Sequence, residues 1–166
     1  MQNSSYKVLY RSNYELNETK DYDLSIVFSA TAFDCELSRL HHKWREINSI
    51  IANEQLAKDE LDKLLRTHGN VKSKIDNISK LMFPKGFEPF VASEGDFKEI
   101  ISEGFPSLNE GNLLDKIVGN LFWPRNEILH QGKGGYDKDD AVKCFNISRL
   151  CISIVTELDY AKRKRT

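Results

Sequence analysis

The chain has 166 residues, enough for one domain with a substantial core, and its 24 basic and 25 acidic residues leave a net charge of −1. This near balance excludes a global field that attracts nucleic acid or an anionic membrane, so any such affinity must be local. The N-terminus has no apolar signal-peptide stretch, and no apolar run is long enough to span a bilayer. These features predict a soluble cytoplasmic protein.

Residues 1–22 are polar with scattered tyrosines, and we predict an N-terminal arm lying on a helical domain of residues 23–166. From Leu24 to about Asn48, apolar residues recur every three or four positions, which predicts a long amphipathic core helix. A second helix is predicted to reach Thr67 and to end at Gly69, since glycine readily closes a helix.

The helical period continues towards the C-terminus in four further segments: Val71 to Met82, about Phe97 to Ile101, Asn112 to Leu121, and about Asp140 to Lys164. The breaker cluster from Pro84 to Pro89 predicts a loop, and Pro124 predicts a kink or a restart. The glycine- and aspartate-rich stretch 132–140 predicts a mobile loop. Because no segment alternates with a period of two, the predicted fold is all-α, a helical bundle of about five to six helices.

The three cysteines, Cys35, Cys144 and Cys151, form no CxxC pair and no Cys/His cluster. An odd number of scattered cysteines in a chain of this length predicts reduced thiols in the core. His41 and His42 are adjacent, so on a helix they point about 100° apart and are poorly placed to chelate one metal ion. We therefore predict no metal site and no cofactor.

The stretch from Trp123 to Gly132 carries the densest chemistry of the chain. Pro124 suits the first turn of a helix, because its ring fixes φ there, and the closing glycine suits the end. Asn126 and His130 are four residues apart and share a face, whereas Arg125 is about 140° round from His130 on an ideal helix. Because the arginine side chain is long, we predict that all three reach one pocket, which would suit a phosphodiester.

Arg125 and Asn126, followed after three residues by His130, resemble the Arg-x(4–6)-His signature of the HEPN superfamily, whose commonest form has Asn directly after Arg. The late position of the motif, before a long last helix, also resembles these α-helical bundles over about residues 24–164. Many HEPN proteins are metal-independent ribonucleases of toxin–antitoxin, abortive-infection and other defence systems. The resemblance implies catalytic Arg125 and His130, a supporting Asn126, a homodimer with two motifs facing one cleft, RNA as the substrate, and an antitoxin protein as a further partner.

This expectation agrees with the chemistry of RNA, which carries its own nucleophile in the 2′-OH. His130 can take the proton of that hydroxyl, while the fork of Arg125 holds the non-bridging phosphate oxygens. The leaving oxygen needs a proton, which a second His130 in a two-fold dimer can supply. The expected products are a 2′,3′-cyclic phosphate and a 5′-OH end.

Four residues outside the motif are weaker candidates. Lys133 and Tyr136, in the loop after the motif, are candidate RNA contacts. Asp34 and Glu36 are candidate acids on the first long helix, where either carboxylate could pair with Arg125 or orient the histidine. One HEPN subgroup has a tyrosine two residues after the histidine, which a nucleotidyltransferase partner modifies; this chain has glycine there.

Other interpretations of the same residues stay open. Arg125 could form an ion pair with Glu127, Asn126 could make an ordinary first-turn hydrogen bond, and His130 could be structural. The chain could accordingly be a non-catalytic HEPN-like domain that binds a nucleotide, RNA or a protein, or a purely structural helical module. The basic run Lys162 to Arg165 suits an exposed helix end, with an RNA contact as the alternative.

Overall fold

The computed structural model of the chain describes residues 4–52, 70–109 and 111–165, with the side chains of residues 48–52 left out. These residues form seven helices and no strand, so the all-α prediction is confirmed, and the helices are slightly more numerous than predicted. The helices are α1 (Ser4–Tyr14), α2 (Tyr22–Ala52), α3 (Val71–Met82), α4 (Phe87–Ser93), α5 (Gly95–Gly104), α6 (residues 113–131) and α7 (Lys138–Arg165). The helix predicted to reach Thr67 lies outside the described residues, and no described helix has the length and apolar character to cross a membrane.

Helix α2 is the centre of the fold and confirms the predicted long core helix. Helices α1, α6 and α7 all pack against it. Its buried side chains recur at the predicted three- and four-residue steps and include Ile26, Phe33, Leu37, Leu40 and Trp44. Each such side chain stabilises the fold by about 1.5–3 kcal/mol when it leaves water, so α2 supplies a continuous apolar seam for its neighbours.

Helix α1 is formed by residues that show little apolar periodicity. Its inner face is lined by serine as well as leucine: Ser12 is fully buried and its hydroxyl donates to the Ser25 carbonyl at 2.8 Å. The same hydroxyl lies 2.8 Å from the Ser29 hydroxyl. Small side chains let the two helices approach closely, and the buried Leu9 adds an apolar side chain to the core. The predicted arm therefore lies along α2 as a helix.

Helix α4 corrects part of the loop predicted from Pro84 to Pro89, because the helix begins at Phe87. Helix α4 packs against the start of α6, where its Glu88 carboxylate accepts the backbone N–H of Leu114 at 2.8 Å. Asn112, the residue just before α6, forms no side-chain cap hydrogen bond. A residue of α4 thus satisfies a donor at the start of α6 that a local cap would otherwise accept.

At Pro124, where a kink or a restart was predicted, the helix type of α6 changes without a gap in the helical backbone. It runs from Leu113–Ile117 through a π turn, Val118–Phe122, into the motif segment, Trp123–Gln131. A proline cannot donate to the carbonyl four residues earlier, which here belongs to Asn120. The thiol of Cys144 on α7 donates to that carbonyl at 3.2 Å. The π turn and this thiol together accommodate the proline within a continuous helix.

The cysteines divide into two kinds. Cys144 and Cys151 are buried on α7, as predicted for core thiols, and burial raises the pKa of both, to about 12 for Cys144. Cys35 on α2 is only half-buried, so the core prediction is wrong for this residue. All three are free thiols.

A buried carboxylate joins α7 to α2. Asp159 is 2% exposed, and its Oδ1 accepts from Lys43 Nζ at 2.5 Å and from Trp44 Nε1 at 2.9 Å. Its Oδ2 lies 3.1 Å from the guanidinium of Arg163, one turn further along α7. Three donors on one carboxylate compensate its loss of hydration and fix the register of the two long helices.

Replacement of Asp159 by alanine is expected to lower the free energy of unfolding by about 3 kcal/mol or more, because Trp44 Nε1 and Lys43 lose their shared acceptor. Chemical denaturation measures the change. Glu157→Ala is the matched control, since this exposed acid on the same helix should change stability by about 0.5 kcal/mol or less. Equal effects of the two substitutions would contradict a structural role for the buried carboxylate.

Candidate functional site

The motif segment is fixed to the core at its beginning. Leu121 and Phe122, the residues just before it, are 0% and 1% exposed. The Phe122 ring lies 6.1 Å from the ring of Phe33 on α2, centroid to centroid. This aromatic contact presses the first turn of the motif segment against the central helix.

Both predicted ends of the motif segment are confirmed. Pro124 lies in its first turn, and Gly132 follows its last residue with φ 63°, in the left-handed region. The backbone N–H groups of Gly132 and Lys133 both point to the Glu127 carbonyl, the latter at 3.1 Å. The chain therefore leaves the helix in a tight glycine turn directly after His130.

Asn126 and His130 share an exposed face of the motif segment. Both side chains are exposed, and neither forms a hydrogen bond or an ion pair with another described residue. Trp123 is seven residues before His130, so it lies on the same face, where it is 62% exposed. A neutral amide, an imidazole and an indole are thus presented together to solvent.

Arg125 lies on the other side of the motif segment, towards α2. It is half-buried, and its positive charge opposes the rise in the pKa of the Cys35 thiol that burial causes. Its Nε is buried and has no acceptor among the described residues. Arg125 therefore faces α2 while His130 faces solvent, in keeping with the angle of about 140° between them on an ideal helix.

Glu127 connects the motif segment to the loop that follows it. Its Oε2 accepts the hydroxyl of Tyr136, and its Oε1 lies 3.8 Å from Lys133 Nζ. The hydrogen bond from Tyr136 lowers the pKa of Glu127, with help from the Trp123 indole. Burial and the same hydrogen bond raise the pKa of Tyr136 to about 12. Glu127 thus contacts residues of the loop. The alternative interpretation, an ion pair between Glu127 and Arg125, is not observed.

The loop of residues 132–137 is held from its other side by Asp23, near the start of α2. The carboxylate of Asp23 accepts the backbone N–H of Gly135 at 2.9 Å and that of Tyr136 at 3.1 Å. A β-carbon at Gly134 would overlap with Asp23 Oδ2. We call Asp23, Glu127 and Tyr136 the loop clamp. The loop was predicted to be mobile, but the loop clamp gives it several fixed contacts shortly after His130.

Sequence reasoning missed Asp23 because it lies 112 residues before its glycine partner. The available signal was the cluster of three glycines, Gly132, Gly134 and Gly135, since consecutive residues without a side chain expose backbone N–H donors to an anion. Tyr136, predicted as an RNA contact, is half-buried with its hydroxyl on Glu127, whereas the Lys133 side chain is 65% exposed.

The two predicted supporting acids make contacts away from the motif segment. Asp34 pairs with Lys74 on α3 at 2.5 Å. Glu36 is buried and binds Arg39 at 2.6 Å and the Ser5 hydroxyl at 2.8 Å. Neither contact joins the motif segment. Within the described ranges, no group of three or more histidine, cysteine, aspartate or glutamate side chains is arranged to hold a metal ion.

Comparison of the chain with family models, with curated proteins and with solved structures finds no match. The function is therefore inferred from the motif segment itself. It has an exposed amide and imidazole, a half-buried guanidinium whose Nε has no acceptor among the residues that the structure describes, and a loop held by the clamp behind them.

Replacement of Gly134 by alanine is expected to lower the free energy of unfolding by about 1–2 kcal/mol, because the new methyl group displaces Asp23 from its two backbone donors. Thermal denaturation measures the loss. Gly119→Ala is the control: this exposed helical glycine has open space around it, so alanine there should be neutral or stabilising. Equal stability of the two variants would contradict the proposed role of the clamp.

Replacement of Tyr136 by phenylalanine is expected to lower the free energy of unfolding by an amount that depends on pH. Since the pKa of Glu127 is lowered from 4.5, its stabilising bond is present above about pH 4.5 and is lost as pH falls through the lower folded value. Since the pKa of Tyr136 is raised from 10.0 to about 12, its contribution is lost as pH rises between these values. The stability difference from the parent should be constant between about pH 5 and 10 and should shrink on both sides.

Urea denaturation across this pH range measures the difference. Tyr160→Phe is the matched control, because this exposed tyrosine lies on α7 away from the clamp. A Tyr136→Phe cost that does not change with pH would argue against the hydrogen bond to Glu127.

Proposed function

We propose that this chain is a metal-independent endoribonuclease of the HEPN type, a cytoplasmic homodimer that cuts RNA in a toxin–antitoxin or phage-defence setting, where an antitoxin protein restrains it. One observation carries the proposal: the Arg-Asn-x3-His residues lie in a single nine-residue helical segment, two of them exposed and without described partners. The third, Arg125, keeps a buried donor nitrogen without an acceptor among the described residues. Unused donors of this kind suit an anionic ligand.

The proposed active site requires a second subunit. In a single chain Arg125 and His130 lie on different sides of the motif segment, so they cannot both surround one phosphate without help. A two-fold axis beside this segment would bring a second set of the same groups to a shared cleft. Trp123 and Leu129, which are 62% and 51% exposed, provide apolar surface for such a seam.

In the proposed reaction, the His130 imidazole of one subunit removes the proton of the 2′-OH, whose oxygen then attacks the adjacent phosphorus. Arg125 binds the non-bridging oxygens and stabilises the charge that develops on them. Asn126, one turn before His130, orients the phosphate or the imidazole. The His130 imidazole of the second subunit protonates the leaving 5′ oxygen. The products are a 2′,3′-cyclic phosphate and a 5′-OH end.

A second candidate function is a non-catalytic HEPN-like module that binds a nucleotide, RNA or a protein partner. The observation that favours it is the position of Arg125, half-buried beside Cys35 and not next to His130. In this alternative the guanidinium stabilises the packing of the motif segment on α2, and the exposed amide and imidazole bind without cleaving.

Replacement of His130 by alanine is expected to reduce cleavage of single-stranded RNA about 100-fold or more, because the general base is lost. The assay contains a chelator of divalent ions and identifies the 2′,3′-cyclic phosphate by its resistance to phosphomonoesterase. His42→Ala is the control, since this exposed histidine on α2 lies outside the motif. RNA that binds but stays intact with the unaltered chain would favour the binding module.

Mixing unaltered and His130→Ala subunits tests whether one active site needs residues from both subunits of a dimer. When unaltered and His130→Ala subunits exchange at equal amounts, a site that needs both histidines keeps about one quarter of the activity, because only unaltered dimers cleave. Subunits that act singly keep about one half. The second result, or equal activity of a stable monomer, would contradict the composite site.

A further inference from the structure

The outer face of α1 carries three exposed tyrosines that the proposed reaction does not use. Tyr6, Tyr10 and Tyr14 are 53%, 74% and 41% exposed. They are spaced by four residues, so their rings follow one another about every 6 Å along one side of the helix. We call these residues the tyrosine face. Single exposed aromatic residues are ordinary, but a contiguous row of them marks an interaction site.

Cations are interleaved with these rings. Lys7 and Arg11 directly follow Tyr6 and Tyr10 in sequence and are both exposed. The Arg11 guanidinium lies 5.2 Å from the ring centroid of Tyr14, within cation–π distance. Lys7 forms no ion pair with any described residue. The surface of α1 therefore alternates flat aromatic groups with positive charge.

Two carboxylates near this face, Glu15 and Glu36, lie beneath its cations. Glu15 is 2% exposed and pairs with Arg11 at 2.5 Å, while the Arg11 side chain is 56% exposed. At the other end of α1, Glu36 is 1% exposed and holds Arg39, whose side chain is 36% exposed. No aspartate or glutamate occurs between residues 4 and 14. Between residues 4 and 14 an approaching ligand meets cations and tyrosines, and the exposed Glu18 lies one turn beyond Tyr14.

The tyrosine face continues towards the motif segment across α2. The Arg11 guanidinium also lies 6.0 Å from the ring of Phe28 on α2. Phe28 and Cys35 are seven residues apart and share one face of that helix, and Arg125 acts electrostatically on Cys35 from the motif segment. Arg11 and Arg125 therefore both lie near this strip of α2, which also carries Asp34, paired with Lys74.

We propose that single-stranded RNA binds along the tyrosine face, with splayed bases stacked on Tyr6, Tyr10 and Tyr14 and with phosphates at Lys7 and Arg11. Alternating rings and cations match the alternating bases and phosphates of a single strand, whereas a duplex keeps its base faces covered. The proposal rests on the proposed ribonuclease function, since it assigns a binding track to the same substrate. The strip of α2 then guides the strand to Arg125.

The test measures binding in the full-length His130→Ala chain, which leaves the RNA intact. Fluorescence anisotropy of a short labelled RNA strand gives Kd for this parent and for added Tyr10→Ala or Lys7→Ala. Tyr10→Ala should weaken binding about tenfold, and Lys7→Ala should lower the slope of log K against log salt by about one. Tyr160→Ala and Lys98→Ala, at exposed positions on α7 and α5, are the matched controls and should leave Kd unchanged.

The outcomes separate this proposal from the nuclease itself. Unchanged Kd for Tyr10→Ala and Lys7→Ala, together with normal RNA cleavage when His130 is present, overturns the binding track and leaves the ribonuclease standing. Loss of RNA binding by the variants supports the track even if the unaltered chain cuts no RNA. Conversion of a dimer to a monomer by Tyr10→Ala, seen by sedimentation, assigns the tyrosine face to a subunit interface and overturns the proposal.

Discussion

The backbone constraint at Pro124 determines how the candidate site is presented. A proline inside a helix leaves the carbonyl four residues before it without a donor, and an ordinary α-helix would break there. Here the helix changes to a π turn at residues 118–122, and the thiol of Cys144 donates to the carbonyl that Pro124 leaves without its usual donor. Because Leu121 and Phe122 are buried in the same turn, the residues after it inherit a fixed orientation. Arg125 is directed towards α2, and Asn126 and His130 towards solvent.

The end of the motif segment is constrained as firmly as its beginning. The glycine turn after His130 returns the chain towards α2, where the Asp23 carboxylate accepts two backbone N–H groups. On the motif segment itself, Glu127 accepts the Tyr136 hydroxyl. A histidine that acts as a base needs a defined position more than it needs burial. The loop clamp supplies that definition from behind and leaves the imidazole face open. An exposed side chain on a rigid segment is what a site completed by another molecule requires.

The sequence predicted most of the helical framework, and the failures have physical causes. Apolar periodicity located α2 and α3, because the inner face of α2 carries isoleucine, leucine and phenylalanine and that of α3 carries Ile75, Ile78 and Met82. The same criterion overlooked α1, since Ser5 and Ser12 are fully buried where larger apolar residues would have signalled a helix. Contacts between distant residues were also out of reach. Asp159 with Trp44 and Asp23 with Gly135 are more than 110 positions apart, and only the folded chain brings them together.

The motif was predictable in its ends and its residue types, but the relation between Arg125 and His130 was not. Local signals fix where a helix starts and stops, whereas the direction of each side chain depends on which face the fold buries. Burial of the Arg125 side against α2 divides the motif between two environments. The chain therefore offers a half-buried arginine and an exposed histidine, which under the proposed function are half of a two-fold site. Under the proposed function, the Nε of Arg125, which finds no acceptor in the described part of the chain, is a donor left for the ligand.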